Sequence, residues 1–177
     1  MLLLKYWQIY LIWIMYLSYN KNKIIYKLIF GVILILFQGV FPKIYISENI
    51  IVSVDILLIF LTFLVLLSET YLIIFLAFIL GLFQDFIIHI EVIGLCSFLK
   101  SISIYCIVYL KKSQTLWSRY FKIFYLFFIY FIHFILYYYI SFYDFNMTLF
   151  FLSFLHSVFG LFFFLILERI IYNSELL

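Results

Sequence analysis

Several residue types are scarce in this chain, and each shortage removes a class of protein. Among 177 residues there are five glycines, one proline (Pro42) and a single alanine (Ala77). Collagen-like and linker-rich chains need far more proline and glycine. Charged residues amount to 11%, where ordinary soluble domains carry about 25%. Hydrophobic residues amount to 69%. A soluble domain of about 150 residues still leaves roughly a third of its unfolded-chain surface in water. This chain lacks the polar side chains to cover such a surface. A soluble enzyme, a disordered tail and a nucleic-acid-binding domain are therefore excluded. The two cysteines, Cys96 and Cys106, lie in one apolar run. On a helix they stand about 15 Å apart, too far for a disulfide, and they read as small packing residues. The motifs GxSxG, HExxH, CxxC and the P-loop are missing. Phosphate chemistry would need clustered Arg and His, but the only arginines are Arg119 and Arg169. The chain reads as a non-enzyme with no metal and no cofactor.

What is present is a series of continuous apolar runs. A β-barrel would show short alternating stretches instead, so the class is an all-α integral membrane protein. A helix needs about 20 mostly apolar residues to cross a core of about 30 Å. Six segments qualify: Ile24–Phe41, Ile50–Leu67, Tyr71–Ile88, Val92–Leu110, Ile123–Phe142 and Met147–Leu167. Residues 21–177 then form a single six-span membrane domain with short connections. Residues 1–20 are a hydrophobic extension, interrupted by Lys5 and Gln8 and bearing Trp7 and Trp13. It lacks a basic n-region and a small-residue cleavage site, so it is either a seventh span or an interfacial helix. The 25 Phe and 17 Tyr residues fit AT-rich coding; they can face lipid or form interfacial belts and mark no binding site.

Basic residues in short loops set orientation. Lys21, Lys23, Lys27, Lys111, Lys112, Arg119, Lys122 and Arg169 fall on one side, against Lys43 alone on the other. The basic side is cytoplasmic, which places both ends of the six-span core there.

Ionisable residues inside spans are costly and mark functional candidates. Ala77, Gly81 and Asp85 recur every fourth residue, so they share one helix face. Ala77 and Gly81 form a small-xxx-small step that lets another helix approach closely. In the next span Gly94, Ser97 and Ser101 form a second small stripe, with Lys100 beside it. A tight turn at His89–Glu91 makes these two spans antiparallel neighbours. Asp85 and Asp55 are the candidate acidic partners of Lys100. The cluster reads as a device for helix register, a docking element for a partner, or a proton- or ion-coupling site. Carriers of that last kind usually have more spans and internal repeats. His133 and His156 fall at mid-depth on adjacent spans, where an interhelical hydrogen bond fits better than a metal site, because no third ligand lies at that depth.

The stretch from Ser53 to Lys112 resembles the bacterial rod shape-determining MreD family. Asp55 opens an apolar span, Gly81-Leu82-Phe83-Gln84-Asp85 supplies a Gly-x-x-x-Asp step, and Gly94-Leu95 opens the next span. The sequence departs from the family pattern at Val54, where proline is commoner, and at Gln84, where an apolar residue is usual. The resemblance implies a non-catalytic, multi-pass protein of the bacterial inner membrane. It would work in the cell-elongation complex beside an MreC-like single-span partner. Through that partner it would help couple MreB-like filaments to peptidoglycan synthesis. The same family resembles the six-span substrate-binding subunits of energy-coupling-factor vitamin transporters, which supply the alternative function. Such a subunit needs a cavity with convergent polar groups. The outer loops here offer only Glu48, Asn49, His89, Glu91, Asp144 and Asn146.

Overall fold

The computed structural model describes residues 24–40, 44–47, 50–52, 54–67, 70–88, 93–113, 115–142 and 147–172. In chain order the elements are α1 (Ile24–Val40), β1 (Ile44–Ser47), β2 (Ile50–Val52), α2 (Ile56–Leu67), α3 (Thr70–Ile88), α4 (Leu95–Lys112), α5 (Arg119–Phe142) and α6 (Met147–Tyr172). Within α5 and α6, Arg119–Ser141 and Met147–Ile170 are long and apolar enough to cross a membrane. The extension at residues 1–20, the turn at 89–91 and the loop residues Lys21, Lys23, Lys43, Glu48 and Asp144 lie outside the described residues.

One expected span is corrected. Ile50–Leu67 does not form a single helix. Ile50–Val52 is a strand that pairs antiparallel with Ile44–Ser47, with an irregularity between Tyr45 and Ser47. The β-branched run Ile50, Ile51, Val52 suits a strand. Asp55 then stops the helix from extending backwards. Its Oδ1 accepts the Leu58 N–H at 3.0 Å, and its backbone carbonyl accepts the Ile59 N–H at 3.3 Å, the geometry of an N-cap. The resulting α2 has 12 residues, about 18 Å.

Helix starts elsewhere also moved for local reasons. α4 begins at Leu95 because Gly94 takes φ 97, a left-handed conformation that favours glycine. α5 begins four residues before the expected apolar run. Ser118 accepts the Phe121 N–H at its hydroxyl (3.4 Å) and the Lys122 N–H at its carbonyl (3.1 Å). The basic residues Arg119 and Lys122 thus occupy the first turn of that helix.

Packing places α2 at the centre. All residues from Leu57 to Leu66 are buried, as expected of a helix that is apolar on every side. It touches α1, α3, α4 and α6, while α1 packs on α3, α3 on α4, α4 on α5 and α5 on α6. The outer helices therefore wrap α2 in the order α1, α3, α4, α5, α6. The tightest approach joins α3 and α4. A Cβ placed on Gly81 would come within 2.7 Å of the Ser97 backbone nitrogen, and main chain cannot move aside as a flexible side chain can.

Gly81→Ala is expected to destabilise the fold by about 1–3 kcal/mol, the usual range for overpacking. Gly39 has open space around its Cβ position. Gly39→Ala should be neutral or stabilising by up to about 1 kcal/mol through helix propensity. Chemical denaturation of the two purified variants should therefore move the midpoint in opposite directions, or leave it unmoved for Gly39→Ala. Equal effects would contradict the packing.

Candidate functional site

Many polar residues lie inside the bundle, among them Lys100, Asp85, His133, His156 and Glu168, and most of their links join two helices. Asp55, at the start of α2, holds the Leu58 N–H with one carboxylate oxygen and the Lys100 ammonium of α4 with the other. The Lys100 side chain is 1% exposed and that of Asp55 11%. Such a pair is strongly attractive only because both charges are removed from water, and each would be very costly alone.

Asp85 is not the partner of Lys100, although it was one of two expected. Its Oδ2 accepts the N–H groups of Gly94 at 3.0 Å and Ser97 at 3.3 Å, and its Oδ1 accepts that of Cys96 at 3.1 Å. The first turn of a helix leaves backbone N–H groups without internal acceptors. Gly94 has no side chain to serve them, so α3 supplies the cap from outside. The carboxylate charge is also favoured at a helix N-terminus. Gly81 and Asp85 thus act together: one removes bulk where α4 touches α3, and the other bonds the exposed end of α4. Ala77 is fully buried on the same helix.

His133 and His156 do not bond to each other. The His133 Nδ1 lies 2.9 Å from the Ser103 hydroxyl of α4. His156 faces Tyr138 of α5. Its Nδ1 lies 3.0 Å from the Leu152 carbonyl of its own helix, which assigns the proton to Nδ1, and its Nε2 lies 3.2 Å from the Tyr138 hydroxyl, which then donates. The Phe134 ring stands 5.2 Å from each imidazole centroid. Both histidines are buried, and each ties α5 to a different neighbour.

Three further links were not expected. The Thr62 hydroxyl of α2 lies 3.0 Å from the Tyr130 hydroxyl of α5. The Tyr130 ring rests on Gly160 of α6, at 3.2 Å from the position of a Cβ there. Arg119 of α5 reaches Glu168 of α6 at 3.4 Å, and the Glu168 side chain is fully buried. Thr62 is the one hydroxyl residue in the α2 run and Glu168 the one acid in α6; those isolated polar positions were the available signal. Three further hydroxyls, half-buried at Ser101 and buried at Ser153 and Ser157, are satisfied locally. Ser101, Ser153 and Ser157 donate to the carbonyls four residues earlier at 2.6–2.8 Å, a bonding mode seen in buried helices.

The side-chain oxygens of Gln38 and Gln84 are buried without a hydrogen-bond partner. Cys96 and Cys106 are free thiols. Among the described residues no three His, Cys, Asp or Glu side chains converge as metal ligands. The arrangement fixes which helix meets which, and at what height. Comparison with protein-family models, curated proteins and solved structures finds no match to this chain.

Lys100→Met leaves the Asp55 carboxylate buried without its counter-charge and should destabilise the protein by about 3–5 kcal/mol. Adding Asp55→Asn removes that charge and keeps a side-chain oxygen for the Leu58 cap. The double variant should therefore be more stable than Lys100→Met alone. A double variant at or below the single one, by denaturant titration, would contradict the assignment.

Proposed function

We propose that this chain is a multi-pass integral membrane protein that serves as a non-catalytic helical platform, in the role that its MreD-like residues imply. The observation that carries this reading is the inverted polarity of the bundle. Every helix except α2 turns large apolar side chains outward: Ile25 is 71% exposed, Phe75 63%, Tyr105 68%, Phe124 65% and Phe162 56%. Lys100, Asp85 and Glu168 are at 0%. Water disfavours both halves of that pattern, whereas a bilayer favours both.

Helix lengths agree with this. α1, α3 and α4 have 17, 19 and 18 residues, which correspond to about 26–28 Å in a hydrocarbon core of about 30 Å. The short α2 is enclosed by protein, and non-helical backbone at membrane depth is tolerated where protein encloses it. With the basic ends cytoplasmic, the six-span core has both termini on that side.

The MreD-like motif is also physically coherent. Its Gly-x-x-x-Asp step and its Gly94 form one helix-joining device, and Asp55 joins the same helix through Lys100. A rigid bundle of this kind suits the role of a platform. In the bacterial inner membrane it would receive an MreC-like single-span protein. Through that partner it would act with MreB-like filaments and the enzymes of wall synthesis.

Affinity purification of the tagged chain from mild-detergent membranes tests the proposal. Co-purification of an MreC-like single-span protein together with wall-synthesis proteins is the expected result. Recovery of paired ATPases and a coupling subunit would overturn it in favour of the transporter subunit.

A further inference from the structure

The outer surface of α4 is a single stripe, narrower than that of α1, α3 or α6. Only Phe98, Ile102, Tyr105, Tyr109 and Lys112 are exposed along its whole length; every other residue is buried or half-buried. These positions follow one another at steps of four, three, four and three, so they form one straight stripe. Because α3 and α5 pack on α4, the stripe is a strip one residue wide between two helices.

The stripe changes character at its far end. Phe98, Ile102, Tyr105 and Tyr109 are apolar or aromatic, with 58%, 41%, 68% and 57% of their surface exposed. Lys112 closes the stripe. The Trp117 ring packs on Tyr109 at 5.6 Å, and on Phe121 and Tyr125 at 4.7 and 5.2 Å. The Tyr125 hydroxyl bonds the Cys106 carbonyl of α4 at 3.2 Å, so this aromatic corner is fastened to the stripe. Lys112 stands exposed three residues beyond Tyr109, while Arg119 is engaged by Glu168 at 3.4 Å and Lys122 is buried.

We propose that this strip holds an anionic glycerophospholipid, with its phosphodiester headgroup at Lys112 and Trp117 and an acyl chain along Tyr109, Tyr105, Ile102 and Phe98. The inference rests on the membrane part of the reading above. Three observations select a lipid. From Phe98 to Tyr109 the helix rises about 16 Å, close to half of a hydrocarbon core of about 30 Å, which is one leaflet. The basic end, with its tryptophan and tyrosines, has the composition of a headgroup zone, and basic pockets between helices on the cytoplasmic side recruit anionic headgroups. The stripe side chains are large, whereas close approach of a second helix needs small ones. The exposed Lys112 ammonium complements the phosphodiester of an anionic lipid, which has no headgroup cation of its own to compete with it.

The test uses the full chain with Trp7→Phe and Trp13→Phe, which leaves Trp117 as its one tryptophan. The protein is reconstituted in vesicles containing brominated phosphatidylglycerol or brominated phosphatidylcholine, and Trp117 quenching is followed against lipid mole fraction. Phosphatidylglycerol should quench at a clearly lower mole fraction. Lys112→Gln should reduce that preference about fivefold, as expected for loss of one basic residue near the headgroup, and Lys112→Arg should retain it. Equal quenching by both lipids, or a preference unchanged in Lys112→Gln, would overturn the lipid site. Alkaline carbonate extraction of the same vesicles separates the two levels of the argument. Protein that stays in the vesicles without a lipid preference removes only this inference, whereas protein released by carbonate removes the membrane reading as well.

Discussion

The Asp85 carboxylate accepts three backbone N–H groups at the start of α4, and the other contacts of that helix depend on where this bond pins it. With the first turn held against α3, Ser97 lies on Gly81. Three residues on, Lys100 meets Asp55 of α2. After three more, Ser103 meets His133 of α5, and after another three the Cys106 carbonyl accepts the Tyr125 hydroxyl, also of α5. A three-residue step falls about 60° short of a full helical turn. Successive polar groups therefore walk around α4, from α3 to α2 to α5. A shift of the helix by one residue would break every link in the series, which makes the capped end the reference point for the assembly.

The energetics favour specificity over raw stability. A buried ion pair is often no better than well-packed apolar residues of the same size, but its rupture is severe. Lys100 and Asp55 therefore penalise wrong arrangements more than they reward the right one. The same holds for Tyr130, whose ring fits over Gly160 while its hydroxyl reaches Thr62. Dispersion between flat apolar faces cannot choose among many similar packings, particularly where the surroundings are as apolar as the helices. A few polar links placed at different heights can.

Much of the bundle was legible from residue order. Runs of apolar residues marked five of the six described helices nearly end to end, because helix formation in an apolar stretch needs only length and the absence of breakers. Gly81, Asp85, Gly94 and Lys100 stood out as isolated small or charged residues among large apolar ones. The error at Ile50–Leu67 has a plain cause. Hydropathy does not distinguish an apolar strand from an apolar helix, and the distinguishing residues were the β-branched run before Val54 and the cap at Asp55. The pairing of Lys100 was only half resolved, since both aspartates lay within plausible reach on paper. Backbone N–H groups, which sequence reading does not count as ligands, claimed Asp85.

Residue order alone showed that the chain is far richer in apolar residues than an ordinary soluble domain, and that its long apolar runs form helices, Ile50–Val52 apart. These properties depend on composition and on local spacing. Tertiary structure decided which acid neutralises Lys100, that His133 and His156 serve different helices, that α2 is enclosed, and that α4 shows the surroundings only a strip from Phe98 to Lys112. Those outcomes depend on distances between segments far apart in the chain. Such distances are set by the joint packing of the six described helices, which no single segment encodes.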